Sequence, residues 1–353
     1  MKVVIVTMPN VYNCGASLQA YALQSFIESL GFSVSILNYQ PKYLKHYRLW
    51  RISEKFNKPC IRELYFVVKL PERIRALYSY RKKVFDNFTK SYLNLQKKVY
   101  RSNSGLLKAN LESDYWVVGS DMVWNPTLPN GKDSSFFLNF PKKGNKLSYA
   151  ASIASRDFSD SIFKNNLKLL SDFKSISVRE TVSVEDLFKY GYSSVAVCDP
   201  VFLLQKSFWE NLVSDYEEKD QVFLYDFENS KTVVDVANSF KNNVINYFKS
   251  DYYFGPKGFV KGILESKVVI SNSFHATAFS ILFNKEFYAV GRNDLDINLR
   301  MQDLLDGVGL SDRFIVDVND IEKVKEINWN GVNEKLSQII KLSKGFLTEG
   351  LFI

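Results

Sequence analysis

Cysteine and histidine are scarce in this chain. Of 353 residues, three are cysteine (Cys14, Cys60, Cys198) and two are histidine (His46, His275). The cysteines are odd in number, far apart and without CxxC spacing. That argues against a disulfide frame and a zinc site, and for a reducing compartment. With one histidine outside the basic region, no metal is expected. Long apolar runs are missing too: none approaches the roughly 18 residues that span a bilayer. The opening MKVVIVTMPN is too short for a signal-peptide core and reads as a buried strand, so a cytoplasmic protein is expected, with the inner face of the membrane as its outer limit. There is no GxGxxG for a dinucleotide and no GxSxG elbow for a serine hydrolase. Low-complexity linkers and short repeats are also lacking.

What is present is an ordinary globular composition, 46% hydrophobic and 24% charged, with aromatics at 15%. The length favours two domains. The net charge of +8 is unevenly placed. Residues 41–101 hold 17 Lys and Arg against 4 Asp and Glu, a balance of +13, which leaves −5 for the remainder. That stretch interleaves cations with Tyr, Trp, Phe and Leu. It reads either as a helical insertion with a solvated basic face or as a surface for anionic lipid. No recognition motif accompanies the charge, so nucleic acid is not expected. His46, inside it, reads as surface or interfacial.

Outside this insertion, short apolar runs alternate with helical patterns. KVVIVTM is a strand, LQAYALQSFIESLG a helix with Gly31 as its stop, and FSVSILNY the next strand, which together make one unit of a parallel sheet. YWVVGSD, KLSYAAS, SISVRE and VAVCDP follow as strands. The pattern restarts with QVFLYDF, NVINYF, KVVISNS and EFYAVGR, separated by helices. The expected class is α/β, with two Rossmann-like domains facing a cleft. Their bounds are 1–205 with a basic insertion at about 43–105, 206–335, and a last helix, 336–353, that can return to the first domain.

Several strand ends carry polar side chains toward that cleft. The turn PNVYNCGAS opens a helix whose N–H groups can hold an anion or a hydroxyl, or which Asn13 or Ser17 simply caps. Gly119-Ser120-Asp121 ends another strand; Asp121 can act as base, bind hydroxyls or close a turn, and Trp124 can stack on a sugar or fill the core. Arg179 can clamp a carboxylate or phosphate, or pair with Glu180 or Asp199. His275 follows VVISNS at the start of a helix, where a lone histidine is either structural or a working residue favoured by a bound phosphate.

NCGASLQAYAL, VVGSDMVWNP, KLSYAASIAS, SISVRE, CDPVFLL, VVISNSFHATAFSILFNKEF and NLRMQDLLDGVGLSDR stand in the order and approximate spacing of the polysaccharide pyruvyl transferase family. The chain resembles that family over nearly its whole length, least in the basic stretch. The resemblance implies a GT-B-like fold and transfer of an enolpyruvyl-derived group from phosphoenolpyruvate to sugar hydroxyls, without a further cofactor. It implies a donor site of Arg179, Ser273, His275, Arg300 and Arg313. Beside it, the strand-end residues give an expected acceptor side of Asn13, Gly15, Ala16, Ser120, Asp121 and Trp124, with His275 and Asp121 as the expected catalytic residues. Many members have arginine where this chain has Ser273, so a second cation must come from elsewhere, and Arg300 is the first choice. The acceptor, free or lipid-linked, belongs to bacterial surface polysaccharide synthesis on this reading. Two other readings stand beside it. One is a nucleotide-sugar glycosyltransferase using Asp226 or Glu228 for the ribose. The other is a non-catalytic member of a capsule-assembly complex.

Overall fold

A computed structural model describes residues 1–44 and 59–352. His46 and part of the basic stretch lie outside the described residues.

The first sheet contains β1 (Lys2–Val6), β2 (Ser33–Ile36), β3 (Glu112–Val118), β4 (Lys143–Ser148) and β5 (Phe173–Ser175), in the order β2-β1-β3-β4-β5. Every pairing is parallel. β1 is buried at four of its five positions, as a central parallel strand must be when helices cover both faces. Helix α1 (Cys14–Ser29) follows β1, with Asn13 as its cap and Gly31 beyond its end at φ +90. Helices α2 (Pro59–Leu77), α3 (Tyr80–Tyr92) and α4 (Asn103–Leu107) come from the long connection between β2 and β3. Helices α5 (Ser161–Leu167) and α6 (Thr181–Lys189) complete this half.

SISVRE is not one strand. β5 ends at Ser175, while β6 (Ser177–Val178) pairs with β7 (Val195–Ala196) in a separate small sheet. Ser148 and Ser177 cause the break. Each hydroxyl donates to the other's carbonyl, and Ser177 N–H donates to Ser148 Oγ, so side chains take the place of ladder bonds.

After α7 (Lys206–Val213) comes a second sheet of β8 (Lys219–Tyr225), β9 (Asn243–Asn246), β10 (Ser266–Ser271), β11 (Glu286–Val290) and β12 (Phe314–Ile315). Helices α8 (Lys231–Asn238), α9 (Gly255–Glu265), α10 (Phe274–Leu282) and α11 (Leu295–Val308) connect its strands. Its order, β12-β11-β10-β8-β9, repeats the first sheet's topology, since both place their second strand at the edge beside the first. The molecule is therefore α/β with two Rossmann-like halves. In such sheets ligands collect beyond the carboxyl ends at the switch point, here between β1 and β3 and between β8 and β10.

One buried cluster runs through both halves, joining Leu18 and Leu23 of α1 to Trp209, Ile263 and Phe279. Trp209 packs edge-on against Phe279 at 4.9 Å. Helix α12 (Trp329–Leu351) leaves the second half and lies on the first: Ser343 Oγ accepts from Cys198 N–H at 2.9 Å, and Phe352 just beyond it packs on Phe32. Among the described residues, no helix is long and apolar enough to cross a membrane.

Candidate active site

Both switch points open onto one cleft of about 390 Å³. From the first half, Asn13 follows β1 and Asp121 follows β3. From the second, Ser273 and His275 follow β10, and Arg292 follows β11. The local chemistry on the two sides is alike. Asn13 accepts from Ala16 N–H at 3.1 Å and caps α1; Ser273 accepts from Ala276 N–H and caps α10. The positive ends of two helices thus face the cleft from opposite halves.

His275 is buried against Gly15 at the start of α1. Its Nε2 lies 3.5 Å from Asp199 Oδ2, at the outer limit of a hydrogen bond, and has no hydrogen-bond partner. Asp199 is the centre of the buried network. Its Oδ2 accepts from Arg179 Nη1 at 2.7 Å and from Ser120 Oγ at 3.1 Å, and its Oδ1 accepts from Val201 N–H at 3.1 Å. Burial alone would push the Asp199 carboxyl up. His275, Arg179 and the Val201 N–H more than offset that and hold it well below the usual carboxylate range.

Phe274 carries two cations. Arg179 lies 4.3 Å from its ring centroid and Arg300 5.8 Å. Behind Phe274 is a second cavity of about 150 Å³, bordered by Arg179, Asp199, Asp303 and Arg300. Arg179 and Phe274 border the rear cavity, and Phe274 and Arg300 border both. Arg179 Nε and Nη2 and Arg300 Nε are buried without hydrogen-bond partners. Burial, with Arg179 nearby, pulls the Arg300 guanidinium down to about 10. Unsatisfied buried N–H donors on cations are costly, and an acceptor bearing negative charge relieves that cost.

Asp121 has φ +79, a left-handed conformation rare for a non-glycine residue. Its Oδ1 accepts from Met122 N–H at 2.8 Å and stands 3.9 Å from Arg300 Nη1.

Four expected residues do not line the cleft. Trp124 is wholly buried, stacks on Phe137 at 5.4 Å and donates to the Phe136 carbonyl, so it is core and no sugar platform. Arg313 is at the opposite end of the second sheet, where it pairs with Glu286 at the start of β11 and donates to the carbonyls of Phe287 and Lys325. Its cationic charge holds β12 and the following turn in place. Ser120 faces inward and orients Asp199. Ala16 is fully buried, its N–H taken by the Asn13 cap.

Three residues in the site escaped the sequence reading. Asp199 entered it only as a partner for Arg179, although VAVCDP ends in a strand-end carboxylate just as VVGSD does. Asn272 joins two loops, donating to Asp226 at 2.6 Å and accepting from Phe227 N–H at 3.0 Å. Arg292 reaches the cleft rim and pairs with Glu228 at 2.7 Å. Asp226 also accepts from the N–H groups of Glu228 and Ser230. Both carboxylates that a ribose would need are therefore engaged within the protein. Among the described residues, no group of His, Cys, Asp and Glu is arranged to hold a metal.

Several solved structures are similar at low identity. A putative UDP-N-acetylglucosamine 2-epimerase from Listeria monocytogenes is 8% identical, covering 96% of this chain and 90% of its own, with TM-score 0.49. The UDP-GlcNAc 2-epimerase of Neisseria meningitidis bound to UDP-GlcNAc is 9% identical over 99% and 94%, TM-score 0.49. The spinosyn rhamnosyltransferase SpnG is 10% identical over 99% of each chain, TM-score 0.46. No curated protein matches the sequence. The sequence profile of the family described as Polysaccharide pyruvyl transferase matches residues 13–294, from the cap of α1 through His275 to the start of α11, and the chain belongs to that family.

Proposed function

We propose that this chain moves an enolpyruvyl-derived group from phosphoenolpyruvate to two hydroxyls of a sugar, forming a pyruvate ketal and releasing phosphate. Family membership supports the pyruvyl transfer. The observation that carries the donor assignment is the buried Nε2 of His275, which has no hydrogen-bond partner and only the Asp199 carboxylate at 3.5 Å, beside buried, under-bonded Arg179 and Arg300. Phosphoenolpyruvate bears a carboxylate and a phosphate, the two anionic groups such donors would satisfy.

In the first step an acceptor hydroxyl oxygen bonds to C2 of the donor while C3 takes a proton and becomes a methyl group. In the second, a neighbouring hydroxyl bonds to C2 and phosphate leaves. Two protons come off the sugar: one balances the methyl group and the other is released or carried by phosphate. His275 holds the phosphate or passes the proton. Asp121, on the opposite wall, receives a hydroxyl proton or orients that hydroxyl. Arg300 supplies the cation that Ser273 does not.

The test is His275→Ala with phosphate release from phosphoenolpyruvate measured against a sugar acceptor. A loss of at least about a hundredfold is expected for a residue in proton transfer. Near-normal turnover overturns the assignment. A mass gain equivalent to one ketal on the acceptor identifies the reaction.

A further inference from the structure

Helix α2 and the turn at its end, which holds Tyr78, carry apolar side chains that stand in water. Val67, Ile74 and Tyr78 recur at i, i+7 and i+11, along one side of the chain's helical path. They are 63%, 44% and 85% exposed, and neighbouring Val68 is 65% exposed. A stripe of large apolar groups on a helix is ordinarily the part that is covered, and one left open marks an interaction surface. Cations accompany it. Residues 59–83 contain seven Lys and Arg against two Asp and Glu, and Arg75 is exposed beside Ile74.

We propose that α2 docks this protein on an anionic lipid bilayer, the apolar stripe lying among the headgroups and the cations on their phosphates. Charge complementarity and the stripe together select this occupant. A nucleic acid would engage the charge and leave Val67, Ile74 and Tyr78 in water. A second copy would bring the same positive surface against itself. The contact is peripheral, lying in the interface and not across it. α3 follows α2 directly and touches loops of both halves beside the cleft, through Tyr12 and Phe254. Docking through α2 does not depend on the reaction proposed above.

The experiment is flotation of the full chain with vesicles of phosphatidylcholine alone, or of phosphatidylcholine with phosphatidylserine, at low and high salt. Partition onto the phosphatidylserine vesicles is expected, little onto the neutral ones. Arg75→Gln should weaken it about five-fold. Val67→Asp combined with Ile74→Asp should abolish it, with circular dichroism and thermal midpoint unchanged because both positions are exposed. Equal partition of that double variant and the parent overturns the proposal. So does the absence of any preference for the anionic vesicles. A dimer lost in the double variant would identify a second copy as the occupant instead, and binding to single-stranded RNA that survives in it would point to nucleic acid.

Discussion

The imidazole of His275 lies on the backbone of Gly15, so that a methyl group added there would fall 2.6 Å from Cε1 and closer still to Cγ and Nδ1. The two residues belong to different halves of the molecule. Gly15 thus has a role that its place in a strand–turn–helix motif does not reveal: it makes room for the ring.

Gly15→Ala tests this contact. Alanine is favoured over glycine in a helix by about 1 kcal/mol, so an unobstructed site would be stabilised. Here the added methyl must push the imidazole away. The expected result is a fall in turnover of at least about tenfold with no gain in thermal midpoint, since under the proposed function the displaced imidazole is a reacting group and the ring that must move is buried. Unchanged turnover would mean that the ring can shift without consequence.

Asp199→Asn should be the most destabilising change in the site. It takes the nearer of two counter-charges from the buried Arg179 guanidinium, leaving Glu180 at 3.6 Å from Nε, a loss of about 3 kcal/mol. The sign with pH follows from the depressed carboxyl of Asp199. The native pair stabilises fully above the ordinary carboxylate pKa, and that stabilisation fades as pH falls through the lower native value. Denaturation curves of parent and variant should therefore differ by a constant amount at neutral pH and begin to converge only below about pH 4. A constant gap down to strongly acidic pH would contradict it.

Arg300→Gln separates binding from stability. The charged guanidinium is disfavoured by burial and by Arg179, which is why it is pulled down to about 10. Removing it should leave the unliganded protein as stable as before or slightly more so. Donor binding should weaken by about tenfold or more, since a charge-assisted hydrogen bond is lost. Calorimetry with phosphoenolpyruvate and a thermal scan without it read the two effects. A lower midpoint with unchanged affinity would assign Arg300 to structure.

Much of this site was legible because parallel α/β units announce their strand ends. Asn13, Asp121, Arg179 and His275 could be named from periodicity and turn chemistry, and the family likeness singled out Arg300. Side-chain direction was not legible. Trp124 stands three residues after Asp121 yet turns into the core, because the Phe136 carbonyl offers its indole N–H a partner. Arg313 reads as a second anion clamp, but it immediately precedes β12 and reaches Glu286 at the start of β11, the end of that strand away from the cleft. Asp199 was readable as a partner for Arg179 but not as the meeting point of Arg179, Ser120 and His275, which come from separate parts of the chain to one oxygen. The split of SISVRE rested on two hydroxyls exchanging bonds across strands, which no local pattern encodes.

Arg81 in α3 is expected to act on the cleft without touching a substrate. Its Nη2 donates to the Tyr12 carbonyl at 2.8 Å, and Tyr12 has φ +52, immediately before the Asn13 cap that borders the cleft. The guanidinium also lies 5.8 Å from the Phe85 ring and 5.9 Å from that of Phe254 in the other half. Arg81→Ala releases the carbonyl that steadies the left-handed residue, so Asn13 loses its fixed position. The acceptor KM should rise about tenfold, the scale of one hydrogen bond to a charged group, with kcat kept within about two-fold. Arg81→Lys should recover part of the loss, since an ammonium can still donate to the carbonyl but lacks the planar guanidinium that lies against the two rings. A fall in kcat at constant KM would instead show that α3 controls the chemical step.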